Sequence, residues 1–386
     1  MWIRSFLCTA ALATSQGSAA GDAPPLPPEP IPAVATLPPP SEHRIYAHDA
    51  AFYSLTSGRV FVVDAGADRR NVVGMVGAAQ FPSFRESTAR GELYVSESFF
   101  ARGTRGVQTD VLTIYDRARL ALLGEVVLPG AKRMQVVPQK AALQVTRDGA
   151  FALVFNFTPA SSVTVVDLAR REVANEIAVP GCMLTYPMAE TGFVTLCGDG
   201  SLQAFELDPS GQVTTLRGSA PFNDIDGDPM FMKAAWVGET AYFPTFRGWI
   251  QPLDLAGEEA RPLARWRLAT DLSAAPASAR PSGWQVISAD SDGRLYVLMR
   301  KDAGPGDHKF GGETVWIADP VERRVTRVLA LETPGVSIEA TRGRPPLLVV
   351  TNADMQLDVY EPESGARVRT IGGWGPAMPL ALHAAR

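Results

Sequence analysis

A strand that ends at an aspartate recurs along this chain and constrains its fold more than any other feature. In residues 163–179 an apolar strand stops at Asp167, a short polar turn follows, and a second strand begins. The same pattern surrounds the following turn acceptors, the last of which is a glutamate: Asp64, Asp116, Asp208, Asp254, Asp319 and Glu361. Their spacings of 52, 51, 41, 46, 65 and 42 residues are typical of β-propeller blades.

This repeat predicts an all-β chain folded as a seven-bladed β-propeller. One hairpin cannot bury its apolar face alone, whereas packing blade on blade does so and closing the ring protects the strand edges. A β-sandwich or two unrelated β domains are the alternatives. The last apolar stretch, residues 378–383, is expected to lie in the same blade as the strands at 45–48 and 60–64. The ring is therefore predicted to close through pairing of the N- and C-terminal strands.

The termini predict an exported protein with three segments. Residues 1–20 read as a signal peptide, because Arg4 precedes a short apolar run and small residues end at Ala20. An ordinary N-terminal helix is the alternative. Residues 21–42 form a Pro-rich arm, expected to be extended and exposed, with nine prolines between Gly21 and Pro40. Residues 43–386 form the propeller domain.

Composition and motifs argue against several classes of function for this chain. The net charge of −5 provides no basic field for nucleic acid, and no apolar run in the body of the chain is long enough to span a membrane. The four histidines are scattered without metal-ligand spacing, at positions 43, 48, 308 and 383. Residues 223–228 resemble a calcium loop, but the glycine is misplaced and the closing glutamate is missing. We therefore expect no catalytic residue, metal or cofactor in this chain.

Two cysteines remain after removal of the signal peptide, Cys182 and Cys197. An even pair in an exported protein predicts a disulfide. A redox-active pair would usually be spaced Cys-x-x-Cys, and these two are not.

The segment 101–110 is a second candidate site. It is predicted to be a loop too long for a tight hairpin, with Arg102 and Arg105 next to Phe99 and Phe100. Arginine and aromatic residues dominate interface hot spots, so the segment is a candidate docking surface. A solvated loop with its aromatic rings tucked under a blade is the alternative.

Several blocks resemble the heavy subunits of methylamine and aromatic amine dehydrogenases. The two most specific are Cys182…Pro187…Cys197-x-Asp199-Gly200-Ser201-Leu202 and Phe100-x-Arg102-x-x-Arg105-Gly106-x-x-Thr109-Asp110. Further matches are Tyr46-x-x-Asp49, residues 59–64, Pro281-x-Gly283-Trp284-Gln285 and His308-Lys309. The resemblance runs from about Arg44 to the C-terminus.

The resemblance implies a periplasmic, seven-bladed heavy subunit that assembles with a small light chain as an α2β2 heterotetramer. The light chain of that family carries tryptophan tryptophylquinone, oxidises primary amines to aldehyde and ammonium, and passes electrons to a blue-copper protein such as amicyanin or azurin. The heavy chain scaffolds the light chain and lines the substrate channel. By this resemblance Phe100, Arg102 and Arg105 lie at the partner interface.

The same resemblance implies an aromatic gate for the substrate channel. In the family the gate lies in a segment that begins Asp-Pro, and here that segment begins with Asp49 and Ala50. Because proline is replaced and the register is open by one residue, the gate is Phe52 or Tyr53. The alternative is that these rings are ordinary blade core.

Three classes of function remain open at the level of sequence. The first is the heavy subunit of an amine dehydrogenase. The second is a periplasmic propeller that binds or scaffolds without amine dehydrogenase activity. The third is a self-sufficient propeller hydrolase or lyase, which needs acid, base or metal ligands clustered around the central channel. No such cluster is apparent in the sequence.

Overall fold

In the computed structural model, which describes residues 35–133, 137–268 and 276–385, regular structure is almost entirely β-strand. The described residues contain no α-helix, only two short 3-10 helices, Lys140–Ala142 and Asp307–Lys309. No helix among them is long and apolar enough to cross a membrane. The predicted signal peptide, residues 1–20, lies outside the described residues, as does most of the Pro-rich arm.

The strands of the first half of the chain are β1 (Arg44–Asp49), β2 (Arg59–Asp64), β3 (Val72–Gly77), β4 (Gln80–Ser87), β5 (Glu92–Arg102), β6 (Arg105–Asp116), β7 (Leu122–Leu128), β8 (Leu143–Val145), β9 (Phe151–Asn156), β10 (Ser162–Asp167), β11 (Glu172–Ala178), β12 (Cys182–Met188), β13 (Gly192–Cys197), β14 (Leu202–Leu207) and β15 (Val213–Gly218).

Those of the second half are β16 (Ala235–Val237), β17 (Thr240–Pro244), β18 (Trp249–Asp254), β19 (Arg261–Pro262), β20 (Trp266–Arg267), β21 (Arg280–Pro281), β22 (Ile287–Ala289), β23 (Leu295–Arg300), β24 (Gly312–Asp319), β25 (Arg324–Ala340), β26 (Leu348–Asn352), β27 (Leu357–Tyr360), β28 (Arg367–Ile371) and β29 (Pro379–Ala384).

These strands form an all-β propeller built from antiparallel sheets. Five sheets stand as separate blades, with the orders β29-β1-β2-β3, β4-β5-β6-β7, β11-β10-β9-β8, β12-β13-β14-β15 and β16-β17-β18-β19, where β20 also pairs with β18. The remaining strands form one eight-stranded sheet, ordered β21-β23-β24-β25-β26-β27-β28, with β22 beside β23.

The prediction of seven blades is wrong, because the structure has five separate blades and this larger sheet. The repeats at Asp319 and Glu361 both belong to the larger sheet. They share strand β25, whose 17 residues pair with β24 through the first half and with β26 from Gly335 onward. The number of turn acceptors gives the number of hairpins. It does not reveal where one strand belongs to two neighbouring hairpins.

The turn aspartates hold their turns by accepting hydrogen bonds from the backbone. The Asp64 carboxylate accepts a hydrogen bond from the N–H of Gly66 at 3.0 Å, and Asp167 accepts from Ala169 at 2.9 Å. The turns after Asp116, Asp208, Asp254 and Asp319 repeat this contact with the residue two positions on. A carboxylate that fixes its own turn needs no help from tertiary structure.

Closure by the terminal strands is also confirmed. Strand β29 pairs antiparallel with β1, placing Leu382 opposite Ala47. Leu382 is completely buried in an apolar cluster with Ile45 of β1 and Val349 and Val359 of the eight-stranded sheet. One side chain of the last strand therefore joins the first blade to the sheet that precedes it in the ring.

The predicted disulfide is present. Cys182 on β12 lies directly opposite Cys197 on β13, and their sulfur atoms are 2.01 Å apart. The bond crosslinks two neighbouring strands of one blade and lies in a different sheet from the candidate gate and docking residues.

The closing strand is expected to carry a large share of the stability. Replacing Leu382 by alanine leaves a cavity at the junction of two sheets, and such changes typically cost about 2–5 kcal/mol of unfolding free energy. Val321→Ala is the matched control, because Val321 is 89% exposed and its truncation should change stability by less than about 0.5 kcal/mol. Urea denaturation of both variants measures the difference. Equal midpoints would contradict closure by this strand.

Candidate functional site

The turn that joins β1 to β2, residues 50–58, carries the two candidate gate residues. Phe52 is 40% exposed and Tyr53 is 79% exposed. Both lie in the turn and not on a strand, so neither ring is part of the blade core. The interpretation of these rings as blade core is therefore wrong, and both remain available on the surface.

The base of this turn is held by Asp49, the last residue of β1. Its Oδ1 accepts hydrogen bonds from the N–H of Ala51 and the N–H of Met378, both at 2.8 Å. Burial raises the pKa of the Asp49 carboxyl, and the two N–H donors act in the opposite direction. At the far end, a side chain at Gly58 would come within 2.3 Å of the Ala78 carbonyl oxygen. Both ends of the turn are therefore tightly packed against neighbouring residues, and Phe52 and Tyr53 lie between these two ends.

The predicted loop at 101–110 is a hairpin, because β5 continues to Arg102 and β6 starts at Arg105. The neighbouring strands stop earlier: β4 pairs no further than Ser98, and β7 no further than Asp110. Residues 99–109 therefore form a two-stranded ribbon that extends beyond its blade. The loop prediction is wrong because Arg102 pairs with Arg105, which leaves only Gly103 and Thr104 at the tip of a tight hairpin.

Contacts at both ends fix the shape of this ribbon. At its base, buried Asp110 accepts hydrogen bonds from Ser98 Oγ and from the N–H of Lys132, both at 2.7 Å. At its tip, Gln80 Nε2 donates to the Gly103 carbonyl oxygen at 3.0 Å. Asp110, part of the block that carries the family resemblance, therefore has a structural role.

The exposed side chains of the ribbon take no part in this support. Phe99 is 46% exposed and Val107 is 77% exposed. Arg102 and Arg105 are exposed, and neither guanidinium forms an ion pair or a hydrogen bond within the described part of the chain. The ribbon therefore presents two unpaired cations beside apolar surface, while Phe100 is half-buried.

A cleft of about 340 Å³ connects the turn and the ribbon across the first two blades. Its walls include Thr56 from the turn, Phe99 from the ribbon, and Tyr115. On its floor, the Glu97 carboxylate accepts hydrogen bonds from Ala79 N–H and Thr113 Oγ1, both at 2.5 Å, and burial raises its pKa. The structure thus brings the candidate gate segment and the candidate docking segment to one face.

A second group of polar side chains was not apparent in the sequence. Lys140 Nζ lies 2.7 Å from Glu339 Oε2, although 199 positions separate the two residues. Gln285 and His383 line the same central cavity. Only closure of the ring brings these residues together, so no local sequence signal could have identified the group.

Two histidines lie beneath the turn, packed against Phe84. The ring of His383 is 5.0 Å from that of Phe84 and 6.3 Å from that of His48. Burial lowers the pKa of His48 to about 3 and that of His383 well below its usual value, with Lys140 adding to the effect. Neither Nε2 atom has a hydrogen-bond partner among the described residues. Both rings are therefore neutral at physiological pH.

The residues that the structure describes include no group of three or more His, Cys, Asp or Glu side chains that could hold a metal ion. In the segment that resembles a calcium loop, Asp224 accepts a hydrogen bond from the N–H of Gly227 at 2.8 Å. Asp228 accepts one from Thr245 Oγ1 at 2.9 Å. These carboxylates therefore hold their own turn and the adjacent strand.

Comparison with known proteins gives a consistent result over nearly the whole chain. Residues 41–384 match the family model of the methylamine dehydrogenase heavy chain (MADH). The methylamine dehydrogenase heavy chain of Methylobacillus flagellatus is 24% identical over 97% of this chain and 96% of its own length. That of Paracoccus versutus is 26% identical over 90% of this chain and 81% of its own length.

Solved structures support the fold alone. A putative 6-phosphogluconolactonase from Bacteroides fragilis superposes with a TM-score of 0.55 at 13% identity, covering 89% of this chain and 99% of the other. A dihydro-heme d1 dehydrogenase superposes with a TM-score of 0.51 at 14% identity, covering 93% and 79%. Because a fold does not by itself imply a function, neither activity is carried over to this chain.

The buried histidines predict a loss of stability in mild acid. Below the ordinary histidine pKa of about 6.5, these histidines are protonated in the unfolded chain but not in the folded chain. The free energy of unfolding therefore decreases as the pH falls. Lowering the pH from 7 to 5 should cost about 2 kcal/mol for His48 alone. His48→Asn should flatten the pH dependence of the urea midpoint, whereas His308→Asn, at a more exposed ring, should retain it. An unchanged slope in His48→Asn would contradict the assignment.

Proposed function

The chain belongs to the methylamine dehydrogenase heavy chain family, and from this we propose that it is the heavy subunit of a periplasmic, tryptophan-tryptophylquinone-dependent amine dehydrogenase. In this proposal it assembles with a quinone-bearing light chain as an α2β2 heterotetramer. The complex oxidises primary amines to aldehyde and ammonium and passes electrons to a blue-copper protein such as amicyanin or azurin.

One observation supports the proposal beyond family membership: two segments with exposed aromatic rings, the 50–58 turn and the 99–109 ribbon, border the same cleft. The 50–58 turn and the 99–109 ribbon are each anchored by buried carboxylates, Asp49 and Asp110. Their tips nevertheless expose aromatic rings and two unpaired arginines. Apolar side chains beside unpaired cations, held on a fixed backbone, are what a partner-binding surface requires.

The contribution of this chain to the reaction is structural. The light-chain quinone supplies the oxidising chemistry, and the heavy chain restricts access to it. Closing a pocket against water strengthens the electrostatic interactions inside it and protects reactive species from hydrolysis. An aromatic ring suits this task, because it covers a large area and has few rotamers to lose. We assign that role to Phe52 or Tyr53.

Purification of the native complex tests the proposal most directly. Native mass spectrometry of the chain isolated from its own organism should give a heterotetramer containing a small, disulfide-rich subunit with an absorbing quinone. The isolated complex should reduce a dye when supplied with a primary amine. A chain that purifies alone, without amine-dependent dye reduction, would instead support a propeller that binds or scaffolds without this activity.

The ribbon arginines are expected to contribute to light-chain binding. Truncation of an arginine hot spot typically costs at least 1–2 kcal/mol of binding free energy. Arg102→Ala should therefore weaken light-chain affinity by roughly tenfold or more, and Arg105→Ala should act in the same direction. Both variants should keep the wild-type melting temperature, because neither side chain has a partner within the described chain.

Arg119→Ala is the matched control. Arg119 is also exposed, but it lies beyond the opposite end of β6 from the ribbon. Its truncation should leave light-chain affinity unchanged in surface plasmon resonance. If Arg102→Ala and Arg105→Ala bind as tightly as this control, the ribbon is a solvated hairpin and not part of the interface.

The gate residues are expected to control amine preference. Removing a contact in an apolar pocket typically shifts discrimination between substrates by about 1–3 kcal/mol. Phe52→Ala or Tyr53→Ala should therefore reorder kcat/KM along a series of primary amines of increasing chain length, with quinone absorbance unchanged. Leu55→Ala, in the same turn, is the control. If both aromatic variants keep the parent order, this turn does not line the channel.

A further inference from the structure

The cavity at the centre of the propeller is lined by more cationic than anionic side chains. It measures about 90 Å³ and is lined by residues from most of the inner strands. Four cationic side chains line it, from Arg85, Lys140, Lys233 and Arg342, against the single carboxylate of Glu339. A water molecule needs roughly 10–15 Å³ measured in this way, so the cavity has room for a molecule several times larger.

Glu339 already accepts three hydrogen bonds. Its Oε2 accepts from Lys140 Nζ at 2.7 Å and from Gln285 Nε2 at 2.6 Å. Its Oε1 accepts from the N–H of Ala384 at 3.0 Å. This carboxylate therefore neutralises Lys140 and anchors the closing strand, and among the described residues it makes no ion pair or hydrogen bond with Lys233 or Arg342.

Lys233 is the most informative of those cations. Its Nζ lies 4.0 Å from the centre of the Trp284 ring, and that ring is fixed by a hydrogen bond from Nε1 to the Pro138 carbonyl oxygen at 3.0 Å. No carboxylate in the described residues pairs with Lys233, and burial lowers the pKa of its amine to about 8. The guanidinium of Arg342 likewise makes no ion pair or hydrogen bond within the described ranges.

Uncompensated charge in a confined site is costly, and a bound counter-ion removes that cost. We propose that the central cavity is a binding site for a small organic carboxylate, with Lys233 and Arg342 holding the anion. The Lys140–Glu339 pair forms a fixed wall beside it. This site is separate from the cleft between the 50–58 turn and the ribbon, and nothing in the amine dehydrogenase proposal requires it.

The walls select an organic anion over an inorganic one. Trp236, Trp284, Tyr186 and Met232 contribute apolar surface to the same cavity. Small-molecule sites commonly combine such apolar walls with a few polar groups that fix the orientation of the ligand. A carboxylate with a short hydrocarbon body uses both features, whereas phosphate leaves the aromatic walls without a partner.

Isothermal titration calorimetry on the full chain tests this site with three probes at constant ionic strength. Succinate should bind saturably at millimolar concentration. Phosphate, an oxyanion without a hydrocarbon body, and succinamide, a neutral analogue, should each bind at least about tenfold more weakly. Absence of saturable succinate binding, or phosphate binding as tight as that of succinate, would overturn the proposal.

Two variants locate the binding on the proposed residues. Lys233→Met keeps the length of the side chain but removes its charge, and loss of a charged hydrogen bond should weaken succinate binding by about tenfold or more. Lys301→Met, at an exposed lysine that does not line the cavity, should leave the affinity unchanged. Equal affinities in the two variants would overturn the assignment.

Arg342→Gln provides the same comparison should Lys233→Met fail to fold, as judged by circular dichroism. Wild-type affinity in Arg342→Gln would count against the proposal.

The pH dependence of binding is a readout that a merely structural lysine would not affect. Succinate affinity should fall as the pH rises through about 8, where Lys233 loses its proton, and the fall should be absent in Lys233→Met.

Discussion

The pairing of the first strand with the last is the interaction on which the rest of this structure depends. Strand β29 hydrogen-bonds to β1, and its Leu382 fills the space between the first blade and the eight-stranded sheet. The same strand provides His383 to the central cavity, and the N–H of Ala384 binds Glu339. Met378, just before it, binds Asp49 at the base of the turn that bears Phe52. Strand β29 and the residue before it therefore contribute to ring closure, to the central cavity and to the turn that bears the candidate gate.

Support and recognition are carried by different residues on the face that bears the candidate site. Buried carboxylates with several donors, Asp49, Asp110 and Glu97, hold the turn, the ribbon and the cleft between them. Such groups are costly to lose, because their donors would remain buried and unpaired. Within the described chain, no buried hydrogen-bond donor depends on the side chains of Phe52, Tyr53, Arg102 and Arg105. Substitution of these four side chains is therefore expected to cost little stability, whereas loss of a supporting carboxylate is expected to cost much more.

The central cavity differs from this face, because its charged side chains come together only when the ring closes. Lys140 and Glu339 satisfy one another, and Gln285 links Glu339 to the closing strand. Lys233 and Arg342 face the cavity without a carboxylate partner among the described residues. One fold can carry many unrelated functions, because function belongs to the site and not to the architecture. The charge of this cavity is therefore a property of this chain and not of the fold.

The sequence by itself determined the features that depend on residues close together along the chain. An aspartate that binds an N–H two residues on makes its turn regardless of what surrounds it, so the repeat predicted a propeller and its hairpins correctly. Cys182 and Cys197 lie on adjacent strands of one hairpin, and the last apolar stretch had no other strand to pair with. Tertiary structure decided where hairpins join into sheets. It extended β25 across two repeats, which the turn count treated as separate blades, and it carried β5 and β6 beyond their neighbours. It alone assembled the central cavity, because Lys140, Gln285, Glu339 and His383 meet only when the ring closes.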